Sequence, residues 1–111
     1  MTTIACRQIF VSGGMQVYQW GPMAAGDTCL PLEIPGQWPL LGNIQFTGTF
    51  GGPVAFEGSN DGVNFAGVQS NGSPISAAAA GAYDFSSAMR QFRPNPGAGV
   101  GSVTATLCMR S

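Results

Sequence analysis

The sequence predicts an all-β fold, an antiparallel β-sandwich forming a single domain over residues 1–111. Three observations predict it. Turn signals recur at a spacing of ~8–12 residues, as in sandwiches and barrels. Between them, apolar and polar residues alternate with period two, the signature of half-buried strands. No window of about eleven residues or more keeps a helical apolar stripe free of Gly and Pro.

The turn signals are strong local ones: Ser12-Gly13-Gly14, Trp20-Gly21-Pro22, Ala25-Gly26-Asp27, Pro35-Gly36, Leu41-Gly42-Asn43, Gly51-Gly52-Pro53, Asn60-Asp61-Gly62, Ser70-Asn71-Gly72-Ser73-Pro74 and Asn95-Pro96-Gly97. Gly supplies positive φ, Pro presets φ, and Asn and Asp bond their own backbone. Weaker strand candidates occupy 4–11 and 15–20. In the second, Tyr18 and Trp20 share one face and Met15 and Val17 the other, so one of these faces is core. A further weak candidate covers 28–34. The clearest strand is 43–50, with Ile44, Phe46, Gly48 and Phe50 opposing Asn43, Gln45, Thr47 and Thr49. In 53–58, Val54 and Phe56 oppose Ala55 and Glu57. Candidates over 65–69, 82–86 and 89–93 follow, and 76–82, Ala-rich and ending at Gly81, allows one helical turn at most. The closing strand sets Val103, Ala105, Leu107 and Met109 against Ser102, Thr104, Thr106 and Cys108.

Composition narrows the function. The 111 residues include 17 Gly and 8 Pro, yet only 8% are charged: four Arg, five acids, no Lys and no His. Without His or Lys the chain lacks the commonest general base, the Schiff-base amine and the commonest metal ligand. Ser59 and Cys29 have no His to activate them, and the carboxylates are dispersed, so no enzyme activity, no metal and no cofactor is expected. A net charge of −1 with four Arg gives no footprint for nucleic acid. No apolar run approaches the ~20 residues of a membrane span. Three cysteines, Cys6, Cys29 and Cys108, leave at least one thiol unpaired, and their spacing matches no zinc pattern. They read as small buried or half-buried side chains in a protein made in a reducing cytoplasm, since no secretory leader opens the sequence.

The solvent faces of the strands are Thr, Ser, Asn and Gln rather than Lys and Glu. Such a face leaves no buried charge to compensate when another protein covers it, and it lacks the Lys that blunts sheet edges. The same residues also suit strands through their β propensity.

Few motifs carry chemistry. Phe56 to Phe65 contains Asn60, Asp61 and Gly62, read as a structural turn in which Asp61-Gly62 supplies positive φ. A calcium loop would need several clustered acids, and only Glu57 is near. Asn71-Gly72-Ser73 matches a glycosylation acceptor, but Pro74 follows it. Tyr18, Trp20 and Trp38 are candidate aromatic anchors for a partner or a sugar, Trp38 being held in Pro35-Gly36-Gln37-Trp38-Pro39. Arg90 and Arg93 flank Phe92, and each is a candidate for a carboxylate pair, either with a partner or internally with Glu57 or Asp84.

Several segments together resemble a known family. They are Gln45-Phe46-Thr47-Gly48-Thr49-Phe50-Gly51-Gly52, Phe56-Glu57-Gly58-Ser59-Asn60-Asp61-Gly62-Val63-Asn64-Phe65, Met89-Arg90-Gln91-Phe92-Arg93-Pro94 and Gly101-Ser102-Val103-Thr104-Ala105-Thr106-Leu107. Tyr18-Gln19-Trp20 followed by Gly26-Asp27-Thr28 fits the opening pattern. In this order, over roughly residues 14–109, the chain resembles the small all-β head decoration (capsid cement) proteins of tailed bacteriophages. The resemblance implies a β-sandwich or jelly-roll-like core. It implies a virion protein on the capsid exterior, made in the host bacterial cytoplasm. Its partners would be the major capsid protein, whose neighbouring subunits it clamps, and itself, as a homodimer or homotrimer. The expected contacts are an N-terminal arm of about residues 1–14 together with Tyr18, Trp20, Trp38, Arg90, Arg93 and Asn95. Two alternatives stand beside this: a tail or neck structural component, and a carbohydrate-binding module stacking sugar on Tyr18, Trp20 or Trp38.

Overall fold

The computed structural model describes residues 2–33 and 40–110. Fourteen strands are formed, and no helix occurs among the described residues. They are β1 (Thr3–Ile4), β2 (Arg7–Ser12), β3 (Met15–Met23), β4 (Thr28–Cys29), β5 (Leu32–Glu33), β6 (Leu40–Thr49), β7 (Val54–Ser59), β8 (Ala66–Gly67), β9 (Gln69–Ser70), β10 (Ser73–Pro74), β11 (Ser76–Ala77), β12 (Gly81–Ser87), β13 (Gln91–Pro96) and β14 (Ser102–Arg110).

Two sheets face each other. The larger has the order β12-β6-β14-β3-β2 and is antiparallel throughout. The smaller has the order β11-β7-β13-β5, with β8 also on β7. The β9–β10 hairpin and a short parallel β1–β4 pair lie outside these ladders. The radius of gyration of 12.8 Å is that of one domain of this length, for which about 13 Å is usual.

Alternation decides which side is core. Val103, Ala105, Leu107 and Met109 of β14 are buried, as are Ile44 and Phe46 of β6. Val54, Phe56 and Phe92 meet them from the smaller sheet. Phe56 and Phe92 stack with centroids 5.8 Å apart, and Phe85 of β12 tilts onto both at 5.3 and 5.8 Å. Phe85 thus joins the two sheets. Its ring lies across Gly42, its register partner on β6, where a Cβ would sit 2.6 Å from the ring. Gly48 answers a different need: its φ of 126° and its approach to the Ser102 carbonyl exclude a side chain.

Four sequence readings are refined. Residues 76–82 form no helical turn; β11 and β12 are divided there by bends at 78–80, because Ala77 and Phe85 are drawn into the core. The expected 89–93 strand begins at Gln91 and continues to Pro96. Pro94 and Pro96 are tolerated because β5 pairs with Gln91 and Phe92 alone, so beyond them β13 has, among the described residues, only β7 as a ladder neighbour. In the 60–62 turn only Gly62 has positive φ, 77°; Asp61 acts through its side chain. Residues expected as an N-terminal arm run as β1 and β2, with β2 laid along β3 as the outermost strand of the larger sheet.

Candidate functional site

The larger sheet presents its outer face to solvent, and that face is mostly uncharged polar, with Arg7, Asp84 and Arg110 as its charges. Register places Arg7, Gln19, Thr106, Gln45 and Ala82 in one row across five strands. Within it, Arg7 Nη2 donates to Gln19 Oε1 at 2.6 Å, and Gln19 Nε2 donates to Thr106 Oγ1 at 3.1 Å. The neighbouring row is Phe10, Val17, Cys108, Asn43 and Asp84. Thr47 and Thr104 pair beyond the first row.

The two edges of this sheet differ. At one, β12 has no ladder partner on its outer side among the described residues, but the β9–β10 hairpin lies against it and the Ser70 hydroxyl donates to the Asp84 carbonyl at 2.6 Å. At the other, β2 has β3 on one side and no ladder partner on its other side among the described residues. All six β2 residues are exposed, and Ile9, Phe10 and Val11 are 48%, 48% and 58% accessible. The strand carries one charge, Arg7, and neither Lys nor Pro, two of the residues that normally protect a bare edge. A register shift between Gln8 and Phe10 bends it locally.

The expected contact residues separate into different environments. Trp20 is a correction: it is fully buried, and its Nε1 donates to the Leu30 carbonyl at 2.8 Å. Its face is core because it pairs with buried Ala105 of β14. Tyr18, on the same face nearer the end of the sandwich, is half-buried. Its hydroxyl donates to Gln16 Oε1 at 2.7 Å and accepts from Gln8 Nε2 at 3.2 Å. Trp38 lies outside the described residues. Arg93 and Asn95 are brought together by one carboxylate: Arg93 Nε lies 3.3 Å from Glu57 Oε1, and Asn95 Nδ2 donates to Glu57 Oε2 at 3.3 Å. Arg90 pairs with Glu33 at 3.4 Å, both exposed, a geometry of small energetic weight.

Asp61 organises its loop. The Asn64 and Val63 N–H groups donate to its Oδ1 at 2.8 and 2.9 Å, and Asn64 Nδ2 donates to Oδ2 at 2.8 Å. Ser59 Oγ donates to Oδ1 at 2.9 Å and accepts from the Gly62 N–H at 3.0 Å. These donors hold the Asp61 carboxyl well below the usual carboxylate range. Every donor comes from within three residues of Asp61, so the arrangement is that of a turn.

All three thiols are free. Burial pushes the Cys29 thiol up to about 12 and the Cys6 thiol up to about 11, which leaves little nucleophilic thiolate. No group of three or more Cys, Asp or Glu able to hold a metal occurs among the described residues.

One concavity was not anticipated. A groove of about 800 Å³ opens where β6, β12 and β14 end, with the 69–71 turn as its wall. Asn43, Asp84 and Cys108 form one row of its floor, and Leu41, Ser86 and Arg110 the next. The sequence signal was thin, since these side chains come from three distant strands. The apolar β2 edge had a plainer one, the consecutive Ile9-Phe10-Val11 inside the 4–11 candidate.

No family model matches the chain, and no curated protein matches it. Among solved structures it is similar to an RmlC-like cupin protein from Desulfovibrio desulfuricans, with a TM-score of 0.54 at 12% sequence identity. The match covers 96% of this chain and 81% of the other. At that identity the likeness is one of fold, and it gives the two-sheet, jelly-roll-like architecture an experimental counterpart.

Proposed function

We propose that this chain is a structural virion protein: a head decoration, or cement, protein that binds the outside of a tailed-phage capsid and clamps neighbouring major capsid subunits. The observation that carries the reading is the bare β2 edge with its exposed Ile9, Phe10 and Val11, continuous with a neutral polar sheet face. An edge strand offers a row of unpaired backbone groups, and partner chains pair with such edges by strand addition. The adjoining face adds area with few charges to desolvate. Repetition over a lattice then makes weak single contacts sufficient. The sequence resemblance supports the same reading, and so does a site inventory rich in turns and polar strand faces. Self-association as a homodimer or homotrimer belongs to the proposal.

The test is the copy number of this chain in purified virions of the phage that encodes it, by quantitative mass spectrometry. Stoichiometry comparable to the major capsid protein supports the proposal. Absence refutes it, and a handful of copies per particle moves the chain to the tail or neck.

A further inference from the structure

We propose that the groove formed by β6, β12, β14 and the 69–71 turn is a binding site for a neutral saccharide. The inference is independent of the virion reading. Its volume, about 800 Å³, lies within the ~300–1,000 Å³ of small-molecule sites.

The chemistry of the lining selects the ligand. Asn43 Nδ2 donates to Asp84 Oδ1 at 2.8 Å, which fixes the carboxylate and leaves Oδ2 to accept a ligand hydroxyl. Gln69 and Asn71 add side-chain amides from the wall, each able to donate and accept. Leu41, 63% accessible, offers an apolar surface of the kind a sugar ring's C–H face covers. Charge argues for neutrality. Asp84 and Arg110 sit on strands separated by β6, about 10 Å apart across the sheet. A ligand of either charge filling the groove meets one attracting and one opposing group, so charge gives it no net advantage, whereas a neutral polyhydroxyl ligand opposes neither.

The wall is fixed to the floor. Asn71 and Gly72, with φ of 54° and 82°, close the tight β9–β10 turn, and the Ser70 hydroxyl ties it to the Asp84 carbonyl. The site therefore exists before ligand arrives, which lowers the ordering cost of binding.

Cys108 supplies a reporter, because it is half-buried on the groove floor, whereas Cys6, also half-buried, does not line the groove and Cys29 is buried in the core. The full chain is alkylated with iodoacetamide at neutral pH, with and without maltotriose or chitotriose, and modification is read by peptide mapping. Saturable protection of Cys108 by one of these, with Cys6 unchanged, is the expected result. Asp84→Ala is expected to weaken that protection about tenfold, the loss of one charge-assisted hydrogen bond. Leu41→Ala gives an independent check, reducing protection without altering a polar group. A glycan array probed with the same chain covers other neutral sugars. No protection by either probe and no neutral binder on the array overturns the proposal. So does protection unchanged in both variants, and so does binding confined to acidic glycans.

Discussion

Arg93 and Glu57 stand directly opposite each other on β13 and β7, joined at 3.3 Å, while the Arg93 guanidinium carbon lies 3.8 Å from the centroid of the Phe65 ring. One side chain therefore ties three pieces of chain: β13, β7 and the end of the 60–65 loop. Both partners of the ion pair are substantially shielded from solvent, which lifts it above an ordinary surface pair.

Removing that link has a graded outcome. Arg93→Ala loses a cross-strand ion pair and a cation–π contact and is expected to cost about 1–2 kcal/mol in urea unfolding. Arg93→Lys keeps the charge but not the planar stacking, and lands between the two. Equal stability of Arg93→Ala and the parent would contradict this account.

Acid sensitivity follows from Asp61 and Asp27. Asp27 accepts N–H bonds from Ala24 and Thr2, Asp61 from Asn64 and Val63, and both carboxyls are lowered by them. An unfolded Asp titrates near ~3.9, so their contribution is complete above that pH and drains as pH falls toward the depressed folded values. Urea midpoints are expected to vary little between about pH 7 and 5 and to fall below about pH 4. Asp61→Asn should flatten the decline; an unchanged acid slope in that variant speaks against the assignment.

Trp20 is core, and its replacement is a stability experiment rather than a binding one. Trp20→Ala is expected to cost about 3–5 kcal/mol by loss of buried volume. Trp20→Phe fills most of the space but leaves the Leu30 carbonyl without its donor, for about 1–3 kcal/mol. Calorimetry decides, and a Trp20→Ala variant with parental melting would place Trp20 elsewhere.

Gly42→Ala probes the contact between the sheets. A Cβ there would sit 2.6 Å from the Phe85 ring, which would be forced off Phe56 and Phe92. Overpacking of this sort costs about 1–3 kcal/mol, whereas an Ala in an unconstrained strand would be neutral or favourable. Thermal unfolding distinguishes the two signs.

Phe10→Lys tests the β2 edge. Phe10 is on the solvent side of β2, so the fold should survive with a stability change of about 0.5 kcal/mol or less. A Lys on a bare edge opposes strand addition. Co-sedimentation of the variant with phage heads lacking the chain is expected to fail where the parent binds; parental binding would remove β2 from the interface.

Much of the architecture was legible because alternation is a local property. Val103 to Met109 reads as a strand with one buried face whatever lies around it, and the buried side is the apolar one. What escaped depends on pairing. Pro94 and Pro96 read as breakers until it is known that β13 has no second ladder neighbour beyond Phe92 among the described residues. Tyr18 and Trp20 share a face and a chemistry, yet depth along the sandwich buries one fully and the other only in part. The Arg93–Glu57 pair was one of two internal candidates, and only the β7–β13 register selects it over Asp84. The groove needed three strands and a turn in place before its residues became neighbours.

The unequal treatment of the larger sheet's edges limits how copies can accumulate. Strand addition at β2 consumes that edge, and on the β12 side, likewise without an outer ladder partner among the described residues, the β9–β10 hairpin reaches the strand backbone through the Ser70–Asp84 hydrogen bond and crowds the approach. Two molecules joined edge to edge through β2 would close on themselves with nothing left to propagate, whereas a head-to-tail chain would need both edges open. The hairpin thus leaves β12 less open to a further strand than β2, which favours a closed pair over a growing fibre.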